Sequence, residues 1–321
     1  MVANRGDVLI QKAEEKGVSL LFEAAVGGAI PIIRPLSESL AGERLTHVLG
    51  IVNGTTNFIL TKMSESDASY TDVLAEAQEL GFAEADPTAD VSGADAAAKA
   101  AILASLAFGT WIASDRVYRE GIEAIQTTDI KFAADLGYLP KLLAIATEDD
   151  RGVSTRVHPT LIPLDHPLAA VRGSQNAVYV KGPAVDELLF AGPGAGGDPT
   201  TTAVLGDVIA AARELLAGAQ VPPRVRFAPG RLVDFAEIET SWYLRIEVLD
   251  RPGVLAQIAA AIGGNGVSIK SMVQLGRGES ATLLLVTHPS KEAAHQAAIT
   301  ALNELEVVHQ VAAAIRVLAD A

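Results

Sequence analysis

Helical and extended patterns of apolar residues alternate along the chain, which predicts a mixed α/β and α+β protein. A charged helical stretch over residues 7–16 ends at Gly17, and the apolar run at residues 18–22 predicts a strand. A further helix is predicted over residues 32–41. A helix followed by a strand is typical of the later part of a doubly wound domain, so we interpret residues 1–44 as the remnant of such a domain.

Residues 45–190 predict a second domain, a mixed sheet with helices on one face. The predicted strands cover residues 47–52, 117–122, 152–163 and 186–191. The predicted helices begin near Phe58, span residues 70–80 and run from Lys99 through Phe108. Gly81 follows the second of these helices, at a position where glycine commonly ends a helix. A glycine loop and a helix over residues 199–217 make up a third segment, residues 191–218.

The end of the chain predicts a separate small domain. A linker at residues 219–240 contains two adjacent prolines, and residues 241–321 then repeat the order strand, helix, strand twice. Strands are predicted over residues 242–249, 267–274, 281–288 and 308–318, with helices over 254–262 and 291–305. This is the order of a ferredoxin-like βαββαβ unit.

Composition excludes several classes of function. The 321 residues carry 25 basic and 39 acidic side chains, a net charge of −14, which argues against nucleic acid or an anionic membrane as partner. There are no cysteines, so disulfides, thiolate metal sites and a cysteine nucleophile are excluded. Because no apolar run reaches the roughly 18 residues that span a bilayer, we expect a cytoplasmic protein.

The strongest chemical signal is a cluster of carboxylates with one lysine, at Glu84, Asp86, Asp90, Asp95 and Lys99. Asp95 and Lys99 are four residues apart and therefore share one face of a helix. The other acids lie on the glycine- and proline-containing stretch just before it. Such an arrangement can hold a substrate ammonium and present a lysine to a reacting oxygen. An exposed helix ion pair preceded by capping acids is the alternative interpretation.

The residues around this cluster resemble the signature of homoserine dehydrogenases. The matching positions are Ala77, Gly81, Phe82, Ala83, Asp86, Pro87, Asp90, Val91, Gly93, Asp95 and Lys99. The resemblance implies NAD(P)-dependent interconversion of L-homoserine and L-aspartate 4-semialdehyde, with NADP more usual, in threonine, methionine and isoleucine biosynthesis. It implies that Glu84 and Asp95 contact the substrate and that Lys99 donates the proton in the reducing direction. It also implies that Asp90 supports the acidic cluster and that Thr55, in the loop Asn53-Gly54-Thr55, binds the substrate carboxylate.

A glycine run before the helix at residues 199–217 satisfies G-x-G-x-x-G through Gly192, Gly194 and Gly197. No second strand ending in an acid follows that helix, so this is not the primary dinucleotide-binding turn. Glycines before a helix can still offer backbone N–H groups to a phosphate or a carboxamide. The resemblance implies that Gly194, Ala195 and Gly196, together with Gly27, lie against the cofactor, and that residues 1–44 are the remnant of a Rossmann-like nucleotide-binding domain.

A second run, from Glu23 to Pro31, resembles the part of the family that lies near the nicotinamide. The resemblance implies a sodium ion held at Glu23, Val26, Gly28 and Ile30, and oxygen ligands suit such a hard cation. A tight turn between a strand and a helix is the alternative for the two adjacent glycines.

The loop from Leu249 to Leu255, which contains Asp250-Arg251-Pro252-Gly253, resembles the first loop of an ACT domain. The resemblance implies an amino-acid effector, expected to be L-threonine, contacted by Asp250 and Asn265. A helix N-terminus after a Pro-Gly turn can bind a carboxylate through its N–H groups. An ordinary strand-to-helix loop is the alternative. Because ACT domains pair and the middle sheet offers a face for pairing, we expect a homo-oligomer.

The family is longer at its amino end, where the first βαβ units and the main glycine fingerprint are expected. We therefore expect this chain alone to bind NADP poorly and to turn over little. A non-catalytic amino-acid-sensing protein is the rival hypothesis, and a dimerisation scaffold is a third. Threonine binding without NADPH binding would favour the sensor, whereas the carboxylate cluster with Lys99 favours the enzyme.

Overall fold

The alternating patterns are realised as helices and strands in the computed structural model, which describes residues 1–218, 226–276, 278 and 280–318. In chain order the helices are α1 (Val2–Lys16), α2 (Gly54–Ser66), α3 (Tyr70–Glu79), α4 (Thr88–Val91), α5 (Ala94–Phe108), α6 (Thr127–Asp135), α7 (Gly197–Ala217), α8 (Val254–Gly264) and α9 (Glu292–Asn303). The strands are β1 (His47–Ile51), β2 (Tyr118–Arg119), β3 (Tyr138–Asp149), β4 (Gly152–Pro163), β5 (Gln175–Gly182), β6 (Asp186–Pro193), β7 (Glu239–Leu249), β8 (Ile269–Leu275), β9 (Ser280–Thr287), β10 (Ser290–Lys291) and β11 (Val308–Val317).

Two compact units divide the chain. Unit 1 comprises Met1–Glu123, Lys141–His158 and Asp165–Leu232, and unit 2 comprises Ala124–Pro140, Pro159–Leu164 and Val233–Ala321. The predicted linker, residues 219–240, crosses the division between the units, because residues 226–232 belong to unit 1 and residues 233–240 to unit 2. Residues 219–225 lie outside the described part of the chain.

The sheet of unit 1 has the order β6-β5-β1-β3-β4. β1 pairs antiparallel with both β3 and β5, and β5 pairs antiparallel with β6. β2 pairs parallel with β4, so the predicted mixed character of this sheet is confirmed. Helix α5 buries a run of alanines and the larger Ile102 and Leu103. Because alanine side chains are small, they allow close packing of this helix against its neighbours.

The amino-terminal segment corrects two predictions. Residues 18–22 are not a strand, because they pair with no strand in the described part of the chain, and Val18 is 59 % exposed. The helix predicted over residues 32–41 is shorter, at residues 33–39, and its last five residues, Pro35–Ser39, are π-helical. Ser37 Oγ donates a hydrogen bond to the carbonyl of Ile33, and such side-chain bonds to the preceding turn distort a helix. Gly17 does end α1, in the left-handed conformation at φ 61°.

Unit 2 confirms the predicted βαββαβ order. The strands lie in the order β11-β7-β9-β8 and pair antiparallel, with α8 and α9 as the two helices. Its core contains Trp242, Leu244, Ile258, Leu285 and Leu302, each 2 % exposed or less. Helix α6 also belongs to this unit, although the sequence analysis placed its residues in the middle domain.

Buried ion pairs hold unit 2 together as well. Arg316 and Glu292 are each 1 % exposed, and their side chains form two hydrogen bonds of 2.9 Å. Thr240 Oγ1 and Trp242 Nε1 donate to the same Glu292 carboxylate. A second buried pair joins Arg245 of β7 to Asp129 of α6 at 2.7 Å. Both carboxylates are thus paired and hydrogen-bonded, as a buried charge requires.

Within the described part of the chain, no helix combines the length and the apolar character needed to cross a membrane.

Candidate active site

Asn53 is the centre of the acidic cluster. It precedes α2 and caps it, since its Oδ1 accepts a hydrogen bond of 2.9 Å from the Thr56 amide. Its Nδ2 donates to Asp90 at 2.7 Å and to Asp95 at 2.9 Å. One buried amide therefore holds two carboxylates that are distant from it in sequence. This arrangement brings Asp90 and Asp95 together.

Lys99 lies beside this pair of acids. Its Nζ is 2.7 Å from Asp95 Oδ2 and donates a second hydrogen bond of 3.0 Å to the Val52 carbonyl. A lysine ammonium has three hydrogens, so one remains for a ligand. The side chains of Lys99 and Asp95 are 21 % and 31 % exposed, so they are neither sealed in the core nor free in solvent. Two carboxylates against one ammonium leave a net negative charge, which favours a cationic ligand.

Thr55 faces the same cluster from the first turn of α2. Its Oγ1 donates at 2.6 Å to the Phe82 carbonyl and lies 3.3 Å from Asp90 Oδ2. Glu84 follows two residues after Phe82 and is exposed, with no hydrogen bond or ion pair to the cluster among the described residues. The structure therefore brings Thr55, Asp90, Asp95 and Lys99 together and leaves Glu84 at the edge.

Two glycines allow the chain to approach itself closely at this site. Gly93 begins α5 at φ 77°, in the left-handed region that other residues rarely adopt. A Cβ on Gly121 would lie 2.3 Å from the Val91 carbonyl oxygen, so only glycine fits there. Asp95 lies in the first turn of the helix that starts at Gly93, where its charge also complements the helix dipole.

The two glycine segments predicted to lie against a cofactor meet each other in unit 1. A Cβ on Gly28 would lie 2.6 Å from the Gly194 carbonyl oxygen, and the Ala29 amide donates to the Pro193 carbonyl at 3.1 Å. Gly194, Ala195 and Gly196 directly precede α7, whose N-terminal N–H groups suit an anionic group. Strand β6 runs antiparallel to β5, so this loop does not lie in a parallel βαβ unit, which agrees with its rejection as the primary dinucleotide-binding turn.

The Glu23 carboxylate, predicted to help hold sodium, is already engaged. It accepts hydrogen bonds from the amides of Ile32, Ile33 and Arg34, at 2.7, 2.8 and 3.1 Å. A carboxylate offers about four acceptor positions, so at most one remains for a cation. Val26, Gly28 and Ile30 lie on the turn between Glu23 and these amides and offer only backbone carbonyls there. No group of three or more metal-binding side chains occurs in the described residues.

A separate cavity of about 370 Å³ lies in unit 2, along the loop predicted to bind an effector. Its walls include Asp250, Gly253, Val254, Gln274 and Leu283. Asp250 accepts hydrogen bonds from Gln274 Nε2 at 3.2 Å and from the Gly278 amide at 3.1 Å. Asn265 does not line this cavity, because its Nδ2 turns back to the Ala261 carbonyl of α8 at 2.8 Å. The structure thus places Asp250, but not Asn265, at the cavity of one chain.

A buried lysine supports the start of α2. Lys141 is 1 % exposed and donates to Asn57 Oδ1 at 2.7 Å and to the Val171 carbonyl at 2.6 Å. Burial, with the nearby Arg172 charge, lowers the pKa of Lys141 to about 8. A neutral amine can still donate both hydrogen bonds. The folded protein therefore accommodates the uncharged form without losing a contact.

This lysine predicts a pH dependence of stability. Its pKa is about 8 in the folded protein and 10.5 in the unfolded chain. The unfolded state therefore binds more protons between these values, so stability rises with pH in this window. We expect the free energy of unfolding of the parent, relative to Lys141→Met, to rise by about 1–3 kcal/mol from pH 8 to pH 10. Urea unfolding of both proteins at several pH values measures this, with Lys62→Met as the exposed control. A difference that stays constant with pH would contradict it.

Sequence reasoning missed three side chains that build the site: Asn53 as its hub, Lys141 and Asn57. A signal for Asn53 was available, because an asparagine just before Gly-Thr-Thr is a strong N-cap residue. Because the helix was predicted to begin near Phe58, Asn53 was not recognised as its N-cap residue. The pairing of Lys141 with Asn57 joins residues 84 apart in sequence and leaves no local pattern.

Comparisons with known proteins agree with this architecture. A family model described as Homoserine dehydrogenase matches residues 31–209, and one described as ACT domain matches residues 242–307. A homoserine dehydrogenase of Corynebacterium glutamicum is 47 % identical over 325 residues, which cover all of this chain and 73 % of that protein. One of Mycobacterium tuberculosis is 47 % identical over 327 residues, covering 98 % of this chain and 74 % of the relative.

Solved structures show the same relationship. A homoserine dehydrogenase from Thiobacillus denitrificans superposes with a TM-score of 0.94 at 42 % identity, covering 99 % of this chain and 74 % of that one. A hyperthermophilic archaeal homoserine dehydrogenase mutant in complex with NADPH gives a TM-score of 0.58 at 32 % identity, covering 69 % of this chain and 62 % of that one. These matches define the class of protein, an NAD(P)-dependent oxidoreductase joined to an ACT regulatory domain. The chain belongs to the homoserine dehydrogenase family.

Proposed function

We propose that this protein interconverts L-homoserine and L-aspartate 4-semialdehyde at the cluster around Asn53, in the pathway to threonine, methionine and isoleucine. One observation carries the proposal. The Lys99 ammonium is held between Asp95 Oδ2 and the Val52 carbonyl, which leaves one N–H for a substrate oxygen. Asp90 and Asp95, both fixed by Asn53, supply the negative charge that attracts the substrate ammonium.

The bound nicotinamide supplies the hydride in the reducing direction and accepts it in the oxidising direction. Lys99 Nζ then gives a proton to the aldehyde oxygen as it becomes a hydroxyl, and neutral Lys99 takes that proton back during oxidation. Asp95 keeps the amine in place throughout, because it is one helical turn away and hydrogen-bonded to Asn53. The proposal assigns Asp95 to the substrate, with Glu84 reaching it from the edge of the cluster. Thr55 would bind the substrate carboxylate only after its hydroxyl gives up the hydrogen bond to the Phe82 carbonyl.

NADP, or NAD, fits the meeting point of the two glycine segments. Gly27 is followed by Gly28, which lies directly against Gly194. Ala195 and Gly196 precede α7. Because glycines have no side chains, a cofactor could lie close to the backbone there, and the N-terminus of α7 could bind its anionic groups. A sodium ion at this turn would be held by the carbonyls of Val26, Gly28 and Ile30 rather than by both oxygens of Glu23, because three amides already use that carboxylate.

Substrate discrimination tests the proposal. We expect L-homoserine to reduce NADP⁺, and 4-hydroxybutyrate, which lacks only the ammonium, to have a kcat/KM lower by about 10²-fold or more. The reason is that Asp90 and Asp95 lose their cationic partner when the ammonium is absent. Equal turnover of the two compounds would contradict the role given to these carboxylates. Titration with NADPH, followed by fluorescence, measures cofactor binding separately.

The ACT domain suggests regulation by an amino acid, for which L-threonine is the proposed effector. The cavity along Asp250 has both an acid and the N-terminus of α8, which begins at Val254, to receive an ammonium and a carboxylate. Asn265 would contribute from a second chain, because it does not line the cavity of its own chain. The exposed edge strand β8, which carries Met272 and Val273, supports such a homo-oligomer.

Removing the Asp250 charge tests the effector site. In Asp250→Asn, we expect the threonine concentration for half-inhibition to rise by about 10-fold or more, because a charged hydrogen bond to the effector is lost. Inhibition curves, normalised to each variant without threonine, and calorimetric titration with threonine both measure the change. Asp135→Asn, at an exposed position of α6, is the control and should leave the midpoint unchanged. An unchanged midpoint in Asp250→Asn would exclude this cavity as the threonine site.

A further inference from the structure

Asn176 lies between the substrate loop, residues 53–55, and the cofactor loop, residues 194–196. It is 2 % exposed and occupies the second position of β5, paired with Gly192 of β6. A Cβ on Gly194 would lie 2.1 Å from both Cγ and Nδ2 of Asn176. On the other side, a Cβ on Gly54 would lie 3.6 Å from Asn176 Oδ1. One amide therefore fills the space between the loops assigned to the two reactants.

The amide oxygen of Asn176 has no hydrogen-bond partner among the described residues. The neighbouring asparagines differ, because Asn53 and Asn57 use both ends of their amides. A buried carbonyl without a partner is costly, and a leucine would fill a similar volume without that cost. The presence of an amide here therefore implies that its oxygen accepts a hydrogen bond in a ligand-bound state of the protein.

We propose that Asn176 is a positioning residue for hydride transfer. Its amide oxygen accepts a hydrogen bond from a backbone N–H of the cofactor loop when the nicotinamide cofactor binds. That bond sets the cofactor loop at a fixed distance from the substrate loop. This inference rests on the proposed function, since it assigns substrate and cofactor to these two loops.

The reason is geometric. Hydride transfer requires the reacting atoms to be held about 3–3.5 Å apart, and a misplacement of about 1 Å costs roughly 10²-fold in rate. Gly194 lies directly against Asn176, and Gly28 lies against the Gly194 carbonyl. A replacement of Asn176 that displaces Gly194 therefore displaces both glycine segments. The cluster of Asn53, Asp90, Asp95 and Lys99 makes no hydrogen bond to Asn176 among the described residues, so it stays intact in a variant.

Asn176→Leu is the decisive variant, because it keeps the volume and removes the amide. We expect its kcat to fall by 10-fold or more, while KM for L-homoserine changes by less than 3-fold. The primary isotope effect with L-homoserine deuterated at C4, the carbon that gives up the hydride, should increase, because hydride transfer becomes more rate-limiting. NADPH affinity, measured by calorimetry, should weaken by several-fold. Asn176→Asp keeps an acceptor oxygen in the same place and should recover part of kcat.

Asn303→Leu, an exposed asparagine of α9, is the control and should leave all four quantities unchanged. An unaltered isotope effect and NADPH affinity in Asn176→Leu would overturn the proposal, whatever the change in kcat. If Asn176→Leu proves unfolded by its urea midpoint, Asn176→Ser is measured in the same way and decides the outcome. Equal turnover of L-homoserine and 4-hydroxybutyrate by the parent would instead refute the proposed function itself, so the two failures are distinguishable.

Discussion

Lys99→Ala is expected to lower kcat for the reduction of L-aspartate 4-semialdehyde by about 10²- to 10⁴-fold, the range supplied by a positioned proton-transfer group. The lysine Nζ is fixed by Asp95 and by the Val52 carbonyl, and its third hydrogen has no other partner among the described residues. Alanine removes this hydrogen and leaves Asp95 with only its contact to Asn53. Since Asp90 and Asp95 remain for binding the substrate ammonium, we expect KM to change much less than kcat.

Lys62→Ala is the matched control. Lys62 forms an ion pair of 2.8 Å with Glu76, and both side chains are more than a third exposed. Its replacement should leave steady-state kinetics within 2-fold of the parent, a margin we set as the noise of the comparison. Turnover of Lys99→Ala within a few-fold of the parent at neutral pH would exclude Lys99 as the proton donor.

Glu292→Ala is expected to destabilise unit 2 by about 3–5 kcal/mol, the usual cost of breaking a buried ion pair on one side. The loss leaves the Arg316 charge, 1 % exposed, without its carboxylate. It also removes the acceptor of Thr240 Oγ1 and one of the two acceptors of Trp242 Nε1, which keeps its 2.9 Å hydrogen bond to Thr240 Oγ1. A buried charge without its carboxylate and a buried hydroxyl without its acceptor are more costly than the ion pair is favourable.

Hydrogen exchange of the β7 amides in the full chain reports on this unit, and urea unfolding gives the overall change. The control is Glu237→Ala, which breaks the ion pair with Lys291, where both side chains are more than half exposed. That pair should contribute no more than about 1 kcal/mol. The double variant Glu292→Leu with Arg316→Met should recover much of the stability, because it removes both charges of this pair and leaves neither one buried alone. Equal, small losses in both single variants would show that the buried pair is not the stabilising element we describe.

The local chemistry of this protein is readable from residue order alone. The four-residue spacing of Asp95 and Lys99 predicted their contact, and the structure places them 2.7 Å apart on α5. Gly17, which ends α1, follows the same logic, because left-handed backbone favours glycine. The βαββαβ order of unit 2 was likewise predicted, since each of its elements carries its own apolar period. These features depend on neighbours within one turn or one strand, which is the range over which a sequence pattern acts.

Only the tertiary structure decided what surrounds those local features. Residues 18–22 have the pattern of a strand, yet no strand among the described residues pairs with them, and a strand exists only through its partner. Asn53 joins Asp90 and Asp95 across 37 and 42 residues of chain, and Lys141 reaches Asn57 across 84. The empty acceptor of Asn176 likewise results from long-range packing around one side chain. Sequence periodicity records which face of an element is apolar, whereas the partner of a buried polar group is set by how distant segments pack.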